Sequence, residues 1–143
     1  MYFSKVPKLE QFLNMLSKSA VRNGYLRTDP YIFRRIRWFP KLNKQDGKSV
    51  GEVERAAKNL PSQGTNANIT KQALINLQNI IDTNNYPVRI LLSVHDEVIT
   101  EAIEEFAEEW KTILETVMIA TAQLVIKSIP VKVEGIISDY WSK

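Results

Sequence analysis

The sequence predicts an α+β protein. Several stretches carry apolar residues at helical spacing, and one pair of apolar runs folds back about a short polar turn. Gly, Pro, Asn and Asp punctuate the boundaries. At 143 residues the chain suits one domain, residues 1–143, with a real core. Its 44% apolar and 24% charged residues are ordinary for a globular protein. No apolar run approaches the ~18 residues of a membrane span, and no basic-then-apolar leader opens the chain. The lack of cysteine excludes disulfides and thiolate metal sites and fits a cytoplasmic setting.

The elements follow in order. In "VPKLEQFLNMLSKSAVRNG", Leu9, Phe12, Leu13, Leu16 and Ala20 make a helical stripe, with Pro7 in the first turn and Gly24 as the stop. "YLRTDPYIFRRIRWFPKLN" holds strand-like residues about a turn at Asp29-Pro30, and "KLNKQDGKS" is a polar loop. A helix is expected from near Ser49 up to Pro61, where the missing N–H forces a break or kink. A second helix then restarts, with Ile69, Ala73, Leu74, Leu77, Ile80 and Ile81 as its stripe. "YPVRILLSV" is a strand, His95-Asp96 its turn and "EVIT" the return strand. The longest helix is expected from about Glu101 to Lys127. Its second half, "ILETVMIATAQLVI", is apolar nearly all round and asks for more cover than so short a chain provides. A last strand is expected in "IPVKVEGII".

Charge divides the chain. Residues 1–60 hold 13 Lys and Arg against 5 Asp and Glu, whereas residues 61–143 hold 6 against 11. A basic half suggests a polyanionic partner, an acidic half cations or plain solvation, and two differently charged solvated faces explain the numbers equally well.

Two short stretches carry candidate chemistry. In "RILLSVHDEVIT" the only histidine, His95, stands beside Asp96 and Glu97 between packed strands. A tight turn places side chains more rigidly than a loop. Asp96 offers hard oxygen ligands suited to Mg²⁺. Adjacent strand residues point to opposite faces, so Asp96 and Glu97 should not share one task. By itself the tripeptide reads more readily as a polar exposed turn. In "ERAAKNLPSQGTNANI", Arg55 and Asn59 share a helix face and Gln63 follows four residues on. Such side chains suit the minor groove, whose acceptors occur in every Watson–Crick pair. Alone, the stretch reads first as a solvated polar face.

Together the two stretches resemble the C-terminal palm of the family A DNA polymerases, the bacterial polymerase I type. "ERAAKNLPSQGT" is similar to that family's ERAAxNxPxQGTAAD, and "VHDE" to its motif C, QVHDE. "YFSKVP" resembles YFxxYP, and "NGYLRT" with "RRIRWFP" resembles GYVxT followed by GRRRxLP. Val133-Glu134 with Trp141 resembles the closing VEVGxGxNW. The resemblance runs through nearly the whole chain in the family's order.

The resemblance implies a small antiparallel sheet containing the motif C hairpin, backed by two or three long helices. It implies a DNA-directed DNA polymerase, a nucleotidyltransferase, acting on primer–template DNA and dNTP with Mg²⁺. Asp96 would be the metal-binding catalytic carboxylate and Glu97 the adjacent, more peripheral acid. His95 would contact the primer-terminal nucleotide. Arg55, Asn59 and Gln63 would line the duplex, and Arg34 and Arg35 would face phosphates. The chain departs from the pattern at Ser93, Phe33, Asn68, Ile136 and Ile137, where the family has Gln, Gly, Asp and two glycines. Lys58 stands at a usually apolar position. Motif A, with the second palm carboxylate, and motif B, with the nucleotide-binding helix, are not present. The polypeptide is therefore expected to work only with an upstream polypeptide that carries them, as the C-terminal piece of a split or truncated polymerase. The alternative is a non-catalytic nucleic-acid-binding or scaffold protein derived from such a palm.

Overall fold

The computed structural model describes residues 6–28 and 32–141. It divides into two compact units, with the boundary between Thr65 and Asn66. The expected turn at Asp29-Pro30 and the start of "YFSKVP" lie outside the described residues.

The first unit is built on two helices and a hairpin. Helix α1 spans Pro7–Asn23, with proline in its first turn and Gly24 closing it at φ +73°, the left-handed conformation glycine adopts without strain. The Gly24 N–H donates to the Ala20 carbonyl at 2.9 Å. Strands β1, Tyr25–Arg27, and β2, Ile36–Trp38, pair antiparallel with Tyr25 opposite Trp38 and Arg27 opposite Ile36. Helix α2, Gly47–Asn59, starts earlier than its sequence suggested, because Asp46 caps it by accepting from the Lys48 and Ser49 amides at 3.0 and 3.3 Å. Ala20 and Ala57, both fully buried, form the core with Leu26, Val53 and Leu60.

Pro61 does not end the helical path in this unit. Leu60–Gly64 forms a π turn. Such a turn absorbs the missing donor and the ring clash as a local widening. Gly64 is needed there, since a Cβ on it would stand 2.9 Å from both Leu60 Cδ1 and Thr28 Cγ2.

The second unit begins with α3, Thr65–Asn84, at 20 residues the longest helix described. Strands β3, Val88–Val94, and β4, Glu97–Ala102, form an antiparallel hairpin. A short 3₁₀ turn, Glu104–Phe106, leads into α4, Ala107–Gln123. Leu77 and Ile81 of α3, Val88 of β3, and Trp110 and Leu114 of α4 make the core. Tyr86 seals it, with its ring centroid 4.8 Å from Phe106 and 6.4 Å from Trp110. Beneath it, Asn76 of α3 donates to Thr121 Oγ1 of α4 at 3.0 Å, and Thr121 donates to the Val117 carbonyl at 2.7 Å.

The α+β class and the antiparallel hairpins are as expected, with two expectations corrected. The helix predicted from Glu101 starts only at Ala107, because Glu101 and Ala102 belong to β4, opposite Arg89 and Val88. "IPVKVEGII" is not a strand: the described residues beyond Gln123 are irregular. That tail is held to α4 instead, where the Gly135 N–H donates to Glu115 Oε1 at 2.7 Å. Among the described residues the strands form two small antiparallel sheets, β1–β2 and β3–β4.

Candidate active-site hairpin and nucleic-acid interface

The β3–β4 hairpin is closed by Val94 opposite Glu97, which leaves His95 and Asp96 as its two turn residues. His95 has φ +56°, and Asp96 is not in the left-handed region. A positive φ at the first turn position alone is the type II′ pattern, which matches strand twist and ordinarily takes glycine there. A histidine in that position carries strain of about 1–2 kcal/mol. His95, Asp96 and Glu97 are all exposed.

The hairpin is held from one side. Trp110 Nε1 donates to Thr100 Oγ1 at 2.8 Å, and Val98 and Ala102 pack on the same cluster. Those residues alternate along β4, so Ile99 and Glu97 fall on the face turned away from α4. On β3 a bulge falls at Leu91, between the Ile90–Thr100 and Leu92–Ile99 pairs. One extra residue switches which side chains face α4, so Leu92 joins Ile99 on the open face. The hairpin thus presents Glu97 on one face and Asp96 in the turn itself.

Asp96 and Glu97 bring hard carboxylate oxygens, the donor chemistry Mg²⁺ prefers. Among the described residues no three His, Asp or Glu side chains converge as a metal-binding group. The donor set therefore fits part of a Mg²⁺ site.

The remaining candidates belong to the first unit. Arg55 and Asn59 lie one turn apart on α2, Gln63 lies in the π turn, and all three are exposed. Arg55 reaches back over Gly51, its Nη1 3.6 Å from where a Cβ on that glycine would stand. Arg34 and Arg35 lead exposed into β2, Arg34 at φ +51°, and both make contacts within the molecule. The candidates thus form two sets, one per unit. The first unit also holds the basic surplus, since residues 61–65 carry no charge.

Thr100 and Glu115, which hold the hairpin and the tail in place, were passed over in the sequence. Their partners lie 10 and 20 residues away. No local periodicity links positions so far apart. The one available signal was Trp110 itself, because a buried indole N–H seeks an acceptor.

The model of DNA polymerase family A matches residues 1–143. DNA polymerase I of Streptococcus pneumoniae is 31% identical over 134 residues, which is 94% of this chain and 15% of that protein. DNA polymerase I of Geobacillus stearothermophilus is 31% identical over 140 residues, 98% of this chain and again 15% of the relative. Among solved structures, the POL domain of Pol1 from M. smegmatis, in complex with DNA primer-template and dNTP, superposes with a TM-score of 0.74 at 32% identity. That match covers 84% of this chain and 21% of the other. The chain thus spans about 15% of the length of the curated relatives it matches.

Proposed function

The chain belongs to DNA polymerase family A, and we propose that it is the C-terminal palm portion of a DNA-directed DNA polymerase. In this reading the 143 residues are part of one palm domain that binds primer–template DNA and supplies the motif C carboxylate for nucleotidyl transfer.

The observation that carries the reading is the His95-Asp96 turn. A histidine held at φ +56°, where glycine would be unstrained, sits beside an exposed carboxylate on a hairpin anchored to α4. Strain kept at an exposed turn suggests that the side chain is needed there. Asp96 supplies a carboxylate oxygen to Mg²⁺, and Glu97 stands by as the outer acid. His95 contacts the primer-terminal nucleotide and so helps position the 3′ end. Mg²⁺, when bound, supplies charge stabilisation for the attacking 3′-oxygen and the leaving pyrophosphate.

Arg55, Asn59 and Gln63 donate to minor-groove acceptors, which checks pair geometry without reading sequence. Arg34 and Arg35 pair with phosphates, consistent with the basic surplus of their unit. Two Mg²⁺ ions and a triphosphate need more ligands than one hairpin offers. The reading therefore assigns motifs A and B, with the dNTP site, to an upstream polypeptide.

Primer extension tests this. A tagged copy is recovered from its natural source with whatever co-purifies, and assayed with Mg²⁺ and four dNTPs beside Asp96→Asn. Extension by the wild type that falls about 10³-fold or more in Asp96→Asn supports the reading, in line with a loss of several kcal/mol of metal-supplied stabilisation. Preparations that both retain duplex yet leave the primer unextended would replace it with a binding-only role.

A further inference from the structure

The β1–β2 hairpin presents a surface that the duplex-binding residues do not use. In this register Tyr25 pairs with Trp38 and Arg27 with Ile36, so these four side chains share one face, while Leu26 on the other face enters the core. Trp38 is 64% exposed and Ile36 40%. The Tyr25 and Trp38 ring centroids lie 5.0 Å apart with the planes at 49°. A tilted pair at this distance props the indole from one side and leaves its other face to solvent. The Arg27 side chain is exposed two residues from Tyr25 on the same face.

An exposed tryptophan on a three-residue strand contributes little to the fold, and strand edges are ordinarily kept polar. A protein partner and a nucleic acid both favour aromatic and arginine side chains. Charge decides between them: positions 22–48 carry 8 Lys and Arg against 2 Asp and no Glu. One of those aspartates, Asp46, is engaged in capping α2. A flat aromatic sharing a face with the Arg27 guanidinium, in a basic field, matches the stacking platforms that hold single strands, where the base meets the ring and the phosphate meets the cation.

We propose that the outward face of the β1–β2 hairpin binds an unpaired DNA strand, one base stacking on Trp38 and an adjacent phosphate pairing with Arg27. The proposal rests on reading the chain as the DNA-binding part of a polymerase, and extends it from duplex to single strand.

The test measures binding of the full chain to fluorescein-labelled oligo(dT) and to a blunt duplex, by anisotropy across a salt series. Trp38→Ala should weaken oligo(dT) binding about tenfold or more, the scale of one lost base–aromatic stack, with duplex affinity held within about twofold. Trp38→Phe should restore most of the loss. Arg27→Ala should lower the salt slope on oligo(dT) by roughly 0.7, the counterion release of one phosphate contact. Truncating a side chain this exposed opens no cavity, so a folding defect is not expected. Unchanged oligo(dT) affinity in Trp38→Ala, equal losses on both DNAs, or no oligo(dT) binding by the wild type would each overturn the proposal. Asp96→Asn separates the two readings. A polymerase role that fails in primer extension leaves Trp38-dependent binding intact, whereas failure at Trp38 leaves Asp96-dependent extension intact.

Discussion

The indole N–H of Trp110 donates to Thr100 Oγ1 at 2.8 Å, and so ties α4 to β4 four residues beyond Asp96. Trp110 is 3% exposed and sits at the centre of the second unit's core. One side chain thus fills the core and fixes the strand that leads from the turn. Trp110→Phe keeps most of the volume and leaves Thr100 without its partner, so a loss of about 1 kcal/mol is expected. Trp110→Ala adds a cavity and should cost about 3–5 kcal/mol. Urea unfolding of the full chain gives both values, and hydrogen exchange should show β4 amides losing protection before those of α3.

The hairpin was legible because apolar runs flank a polar tripeptide, and a two-residue turn fixes the register. Its far end was not legible. Glu101 and Ala102 favour helix, but they pair with Arg89 and Val88, and Ala102 packs beside the buried Val88 on the second core, which overrides the local preference. "IPVKVEGII" alternates like a strand, yet a strand needs a neighbour, and the Gly135 amide finds the Glu115 carboxylate instead. At Pro61 the ring does remove a donor, but the π turn absorbs it. The charge division was plain in composition, because it needs no register to be counted.

Replacing His95 separates stability from function. Glycine at φ +56° removes strain of about 1–2 kcal/mol. It also widens the unfolded ensemble by roughly 0.5–1 kcal/mol. His95→Gly should therefore raise the stability of the chain by up to about 1.5 kcal/mol, read as a higher urea midpoint at unchanged slope. Primer extension by the assembled polymerase should fall. A variant that is less stable would show that the imidazole makes contacts outweighing the strain.

Gly64 has no room for a side chain. A methyl there would press on Leu60 Cδ1, which is buried, and on the methyl of the β-branched, half-buried Thr28, each 2.9 Å away. Overpacking of this kind should destabilise Gly64→Ala by about 1–3 kcal/mol. Thermal unfolding followed by circular dichroism checks this, and Gly47→Ala, where a Cβ would meet nothing within 4 Å, serves as the control.

Arg55 and Asn59 lie one turn apart on the same exposed face and are both proposed to donate into the minor groove, but only one of them is charged. Arg55 carries charge and displaces counterions even from within the groove, so Arg55→Ala should weaken duplex binding most at low salt and flatten the salt slope by up to about 0.9. Asn59 offers a neutral amide to groove acceptors. Asn59→Ala should cost about 0.5–1.5 kcal/mol at every salt concentration and leave the slope unchanged. Titrating a labelled duplex from low to moderate salt with both variants distinguishes the two behaviours. A flattened slope for Arg55→Ala alone is the expected result, and both variants should bind duplex more weakly than the wild type; unchanged affinity in both would overturn the groove assignment. With either variant A·T-rich and G·C-rich duplexes should lose affinity alike, because purine N3 and pyrimidine O2 acceptors are common to both.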